Sequence, residues 1–209
     1  MKRLFLTSSV NFVAKDIAKH IGNVKGMKLV FIDTAAEVEE GDKQWLKDDK
    51  KALVDVGFNV FDYTITGKRQ QEIRKDLKEV DVIYVEGGNE FYLMQEIRKS
   101  GFDKIVCEHV DKGQIYIGTS AGSMVAGPDI SLLYTKRDAL KGPKLESYKG
   151  LGLVDFCIIP HWGSKYFRSL YIKERLPKLY KTNKKMIFLT DYQYVRVEED
   201  MYRIEEVEK

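Results

Sequence analysis

The chain of 209 residues sets 35 Lys and Arg against 32 Asp and Glu, a formal charge of +3, and this near balance gives no reason to expect a nucleic-acid partner. With 44% hydrophobic and 32% charged residues it has material for one continuous core under a polar surface. No apolar run approaches the roughly 20 residues of a membrane helix, and the three apolar residues after Lys2-Arg3 are too few for a secretory leader, so a cytoplasmic protein is expected.

In chain order, short apolar, β-branched runs alternate with longer amphipathic stretches. Leu4-Phe5-Leu6-Thr7 reads as a strand, followed by a helix from Asn11 to Ile21 that Gly22 stops. Leu29 to Asp33 reads as a second strand before a long charged helix from Glu37 to Val56, closed by Gly57. Val60 to Ile65 reads as a strand, Arg69 to Val80 as a helix, and Val82 to Val85 as a strand running into Glu86-Gly87-Gly88-Asn89. Two helices, Phe91 to Lys99 and Phe102 to Val110, precede the strand Ile115 to Ile117, the turn Gly118-Thr119-Ser120-Ala121-Gly122 and a short helix, Ala121 to Ala126.

The regularity lapses from Pro128 to Gly152, which reads as an exposed connection containing a hairpin. Strands return at Phe156 to Ile159 and Met186 to Leu189, separated by a helix from Tyr166 to Tyr180 that Pro177 interrupts. The tail alternates apolar and polar residues around Glu199-Asp200, as a terminal hairpin does. Strands apolar on both faces and separated by helices imply right-handed crossovers and a mostly parallel sheet. The expected fold is therefore a three-layer α/β/α sandwich, with residues 1–209 forming a single domain.

Gly118 to Gly122 satisfies G-x-S-x-G between a strand and a helix, the setting in which a serine stands exposed on a sharp turn. Ser120 is thus a candidate nucleophile. The helix start leaves Ala121 N–H free to stabilise an oxyanion, and Gly87-Gly88, also after a strand, offers Gly88 N–H as a second donor. Asn89 is either a helix cap or a substrate contact, and the two roles can coexist.

A serine hydroxyl needs a base, and the chain has only three histidines. His20 and His109 fall in helices among charged neighbours and read as solvated; His161 follows the strand Phe156 to Ile159 and is the preferred base. Asp191, beyond Leu189-Thr190, is the first choice to orient it, with Asp129 as the alternative. Cys107 and Cys157 have neither a zinc-ligand spacing nor an elbow, and read as reduced packing residues. The order Ser120, His161, Asp191 differs from the serine, acid, histidine order of α/β-hydrolases.

Glu86-Gly87-Gly88-Asn89, Ile117 to Gly122 and Pro160-His161 together resemble the peptidase E family, the aspartyl dipeptidases related to cyanophycinases, over essentially the whole chain. The resemblance implies a fold like that of class I glutamine amidotransferases, Ser120 as nucleophile, His161 as base, and neither metal nor organic cofactor. An acid near Asp191 also fits the family pattern. A second acid proposed for the family, after the elbow, would fall where this chain has Thr135.

The expected activity is a serine-type peptidase acting on small peptides, including dipeptides with N-terminal Asp, as a monomer or homodimer. Such a substrate needs a cation, for which Arg168 is the first choice and Lys165, Lys136 and Arg137 are alternatives. Two other classes stay open: a non-catalytic small-molecule binding or regulatory protein using the glycine turns as an anion site, and an esterase or amidase.

Overall fold

The computed structural model describes residues 2–208. Its main sheet has seven strands, which run in the spatial order 59–63, 28–32, 82–85, 115–119, 3–7, 193–198 and 201–206. The parallel part comprises β1 (Arg3–Thr7), β2 (Lys28–Ile32), β3 (Asn59–Tyr63), β4 (Val82–Val85) and β5 (Ile115–Thr119). The hairpin β8 (Gln193–Glu198) and β9 (Met201–Glu206) continues the sheet antiparallel to β1, turning at Glu199 with φ of 55°.

Alternation along the central strands divides their side chains between two cores. Phe5, Leu29, Phe31, Val82, Tyr84, Ile115 and Ile117 meet α1 (Val10–Ile21) and α2 (Gln44–Asp55) on one face. Leu4, Leu6, Val30, Ile32, Ile83, Val85 and Tyr116 meet α3 (Gln70–Asp76), α4 (Glu90–Ser100), α5 (Phe102–Asp111) and α6 (Ala121–Ala126) on the other. These are the two faces of an α/β/α sandwich, and the near-continuous apolar strand sequences follow from burial on both sides.

Several elements differ from the sequence expectation. The charged helix expected from Glu37 begins only at Gln44, because Gly41 takes a left-handed φ of 85° that a helix cannot accommodate; Thr34–Ala36 form a 3₁₀ turn instead. The connection at 128–152 is less exposed than expected: Ile130 and Leu133 are buried, α7 (Lys136–Ala139) forms within it, and Gly142 packs on the Phe91 backbone. It contains a single antiparallel bridge, Asp129 to Lys149. His109, expected to be solvated, is 6% exposed, with Nε2 2.9 Å from Ile115 O.

β6 (Cys157–Ile159) and β7 (Met186–Phe188) pair in parallel as a separate two-stranded sheet, Ile159 opposite Phe188. Between them α8 (Arg168–Leu170) passes through a π turn, Tyr171–Arg175, into α9 (Leu176–Leu179). Pro177, which has no N–H to donate, sits in the first turn of α9, so the widened turn falls directly before it.

Candidate active site

The carboxyl ends of β1, β4 and β5 lie side by side, with Val85 and Leu6 both opposite Gly118 and Thr7 opposite Thr119. This register brings the Gly87–Gly88 turn and Ser120 to one edge of the sheet. Ser120 takes φ 48° and ψ −109° between β5 and α6, a conformation costing a non-glycine residue on the order of 1–3 kcal/mol and held only by its surroundings. Ser120 N–H donates to Thr7 O at 3.0 Å. Gly122 is the tightest point of the elbow: a Cβ there would lie 2.0 Å from Val85 O.

His161 and Asp191 arrive from the small sheet, just beyond the paired ends of β6 and β7. Ser8, the residue after β1, accepts His161 N–H at 3.0 Å and donates its hydroxyl to Leu189 O at 2.9 Å, tying both tips to the main sheet. His161 Nδ1 is 2.6 Å from Asp191 Oδ1, and His161 Nε2 is 3.1 Å from Ser120 Oγ. A carboxylate only accepts, so Nδ1 carries the proton and Nε2 is free to accept from the serine. The Phe167 ring covers the imidazole, centroids 5.0 Å apart and planes 20° from parallel.

Opposite Ser120 the Gly87–Gly88 turn packs closely on its neighbours. A Cβ on Gly87 would come within 3.1 Å of Ser120 Cβ, and one on Gly88, at φ 128°, would stand 2.3 Å from Ala35 O. Among the described residues neither Gly88 N–H nor Ala121 N–H meets a hydrogen-bond acceptor of the protein. Asn89 Oδ1 accepts Tyr92 N–H at 2.8 Å to cap α4, and its Nδ2 donates to Asp138 O at 3.1 Å. The Asn89 side chain is thus engaged by the protein through both its oxygen and its nitrogen.

Asp129 sits elsewhere. It accepts Ser131 N–H at 2.8 Å and pairs with Lys184 at 3.3 Å. Burial alone would raise its carboxyl, but the Ser131 hydrogen bonds and the Lys184 charge hold it below the usual range. Thr135 caps α7 and accepts Asp138 N–H at 3.1 Å.

Arg168, Lys165, Lys136 and Arg137 are all exposed. A further cation, Arg175, which the sequence reading did not single out, packs on the Phe167 ring. Its guanidinium lies 5.7 Å from the Phe167 ring centroid and 4.9 Å from that of Tyr171, and its buried Nε has no hydrogen-bond partner among the described residues. The signal available was the spacing of Phe167, Tyr171 and Arg175 along one helical face. Glu90, buried at the start of α4, has its carboxyl pushed up to about 7, chiefly by burial and further by Asp138 and Glu39, against the opposing Arg175 charge.

No group of three or more His, Cys, Asp and Glu among the described residues is arranged to hold a metal, and no described helix is long and apolar enough to cross a membrane. Both cysteines are unpaired, and burial raises both thiols.

A serine on a strand-to-helix elbow at the edge of a mostly parallel sheet, facing a histidine and a carboxylate, defines the class of serine hydrolases built on α/β sandwiches. The family model for peptidase family S51 matches residues 4–205, and the chain belongs to that family of serine-type peptidases. It is 34% identical over 200 residues to an uncharacterized peptidase of Listeria innocua, covering 96% of this chain and 94% of that one. It is 28% identical over 170 residues to peptidase E of Haemophilus influenzae, covering 78% and 74%. A crystal structure of a protein assigned to peptidase E from Listeria monocytogenes EGD-e superimposes with a TM-score of 0.91 at 31% identity, covering all of both chains.

Proposed function

We propose that residues 1–209 act as one catalytic domain that hydrolyses small peptides, among them dipeptides with an acidic N-terminal residue, through an acyl-enzyme on Ser120. Ser120 Oγ attacks the scissile carbonyl as His161 Nε2 takes its proton. The oxyanion accepts hydrogen bonds from Gly88 N–H and Ala121 N–H, and Asp191 stabilises the imidazolium. His161 then hands the proton to the departing amine as the C–N bond breaks. Water, deprotonated by the same imidazole, cleaves the ester and returns the serine.

The observation that carries this reading is the hydrogen-bonded order Asp191, His161, Ser120, at 2.6 and 3.1 Å. The acidic preference is supported by Arg175, whose guanidinium lies 5.7 Å from the centroid of the Phe167 ring that covers the imidazole and whose buried Nε has no partner among the described residues. Arg168, exposed on α8, is the less suitable cation.

The test is hydrolysis of a dipeptide library, including N-terminal Asp, with simple esters alongside, by wild type and Ser120→Ala. Ser120→Ala is expected to lose roughly a million-fold in kcat with its melting temperature retained. A fluorophosphonate should label Ser120 in the wild type. Undiminished turnover by Ser120→Ala would overturn the assignment, and absence of labelling in folded protein would favour ligand binding at the glycine turns.

A further inference from the structure

Two acidic side chains lie together beneath the Gly87–Gly88 turn. Glu86, the residue before the turn, is 0% exposed, and Asp49, in the middle of α2, is 2% exposed. The buried Tyr84 hydroxyl joins them, donating to Glu86 Oε2 at 2.8 Å and lying 3.4 Å from Asp49 Oδ2. Asn11 N–H, in the first turn of α1, donates to Asp49 Oδ1 at 3.0 Å. Glu86 Oε1 accepts Gly87 N–H at 2.6 Å. The Tyr84 hydroxyl is thus the group that both carboxyls meet.

The backbone amides of the turn have a particular order. Glu86 N–H donates to Ile32 O at 2.9 Å, Gly87 N–H to the Glu86 carboxyl at 2.6 Å, and Asn89 N–H to Ala35 O at 2.9 Å. Gly88 N–H alone of the four has no acceptor in the described protein. Two consecutive glycines have the widest conformational freedom a chain can offer. The peptide presenting Gly88 N–H keeps one orientation only if the amides on either side are held.

We propose that Glu86 is a positioning residue for the reaction: its buried carboxyl, held by the Tyr84 hydroxyl, clamps Gly87 N–H and so aims Gly88 N–H at the oxyanion formed on Ser120. This rests on the acyl-transfer reading above. The groups facing the pair are Tyr84 of β4, Asp48 beside Asp49 on α2, and Asn11 N–H of α1. Burial raises both carboxyls, and the neighbouring Asp49 charge helps to push Glu86 well above the usual range. Loss of the last proton at alkaline pH would place a second negative charge beneath the donor that must stabilise an anion.

The test compares wild type, Glu86→Ala, Glu86→Gln and Asp49→Asn for kcat, KM, pH profile and rate of fluorophosphonate labelling of Ser120. Glu86→Ala is expected to lose roughly 10- to 100-fold in kcat and in labelling rate with KM unchanged, the scale of a weakened oxyanion donor. Glu86→Gln keeps an acceptor for Gly87 N–H and restores most of that loss. Both Glu86→Gln and Asp49→Asn, having one carboxyl fewer, hold their kcat to higher pH than the wild type.

A folded Glu86→Ala that matches wild type in kcat and labelling overturns the proposal. If Glu86→Ala does not fold, an alkaline limb common to wild type, Glu86→Gln and Asp49→Asn overturns it instead. Failure of Ser120 to label in the wild type would bring down the acyl-transfer reading itself, a result distinct from equal labelling of wild type and variants.

Discussion

Asp191 and Asp129 are of the same residue type, and only their partners separate them. Asp191 Oδ1 lies 2.6 Å from His161 Nδ1, whereas Asp129 is bound to Ser131 and Lys184. Asp191→Asn can present its amide N–H to Nδ1, which then keeps its proton on Nε2, the tautomer unable to accept from Ser120. Its kcat is expected to fall roughly a thousand- to ten-thousand-fold. Asp129→Asn removes a partly exposed ion pair of about 1 kcal/mol or less and should leave kcat within a few-fold of wild type. Steady-state kinetics on one peptide substrate decides, and the reverse ranking would show that Asp129 orients the imidazole. The Ser120 elbow is legible in sequence because small residues must surround it. Arg175 left only a weaker trace, its spacing with Phe167 and Tyr171, because its place depends on the path of the chain through the π turn after Phe167. His109 was misread for a different reason. Its neighbours Glu108 and Asp111 suggest water, but with Phe102, Ile105, Val106 and Val110 it completes a buried helical stripe, and that period outweighs immediate neighbours.

Elements place these residues, and the close approach of α6 to β4 is the contact with least tolerance. The Tyr116 hydroxyl donates to Gly122 O at 2.7 Å, so α6 cannot simply withdraw from the sheet. Gly122→Ala would put a methyl 2.0 Å from Val85 O. The helix must shift, at a cost at the upper end of roughly 1–3 kcal/mol, lowering Tm by roughly 6–12 °C in a chain of this size. Moving α6 also moves Ser120 and Ala121 N–H, so kcat should fall with stability. Thermal unfolding and kinetics of the purified variant check both, and a Gly122→Ala protein with wild-type Tm would mean the elbow is looser than its contacts imply. The sheet and its helices were largely readable because the central strands β1, β2, β4 and β5 are apolar on both faces, the terminal hairpin alternates, and helices such as α1, α4 and α5 carry an apolar stripe. The start of α2 was not, since charged residues before Gly41 have the composition of a helix and only the backbone at Gly41 ends it. Nor was the separation of β6 and β7 from the main sheet, because a strand's own sequence does not say which strand it pairs with.

Across the whole molecule, burial of titratable groups makes stability depend on pH in a direction that can be worked out. Glu90 and Asp49 are both raised to about 7, from ordinary values of 4.5 and 3.8, chiefly by burial. Between the ordinary and the raised values the folded state binds more protons than the unfolded state, so stability falls as pH rises through that window. For Glu90 the rise from 4.5 to about 7 amounts to on the order of 3 kcal/mol by pH 8. His109 opposes this: burial lowers it to about 4 from 6.5, so the unfolded state binds more protons between those values and stability rises with pH there. Two carboxyls outweigh one imidazole up to about pH 6.5, and above that only the carboxyls, with Glu86 still to titrate, remain. At the acid end Asp129, Asp155, Glu79 and Glu108 are held below their ordinary values, so their contributions are lost as pH falls through that range. Stability should therefore peak near pH 5 and decline toward pH 8, the reverse of the rise expected were the buried histidine dominant. Urea midpoints measured from pH 4 to 9 give the curve, and Glu90→Gln should raise the midpoint at pH 8 more than at pH 5. A wild-type midpoint that climbs steadily from pH 5 to pH 8 would mean that the acidic residues beneath the Gly87–Gly88 turn and at the start of α4 are ionised in the folded protein, stabilised by interactions stronger than their burial.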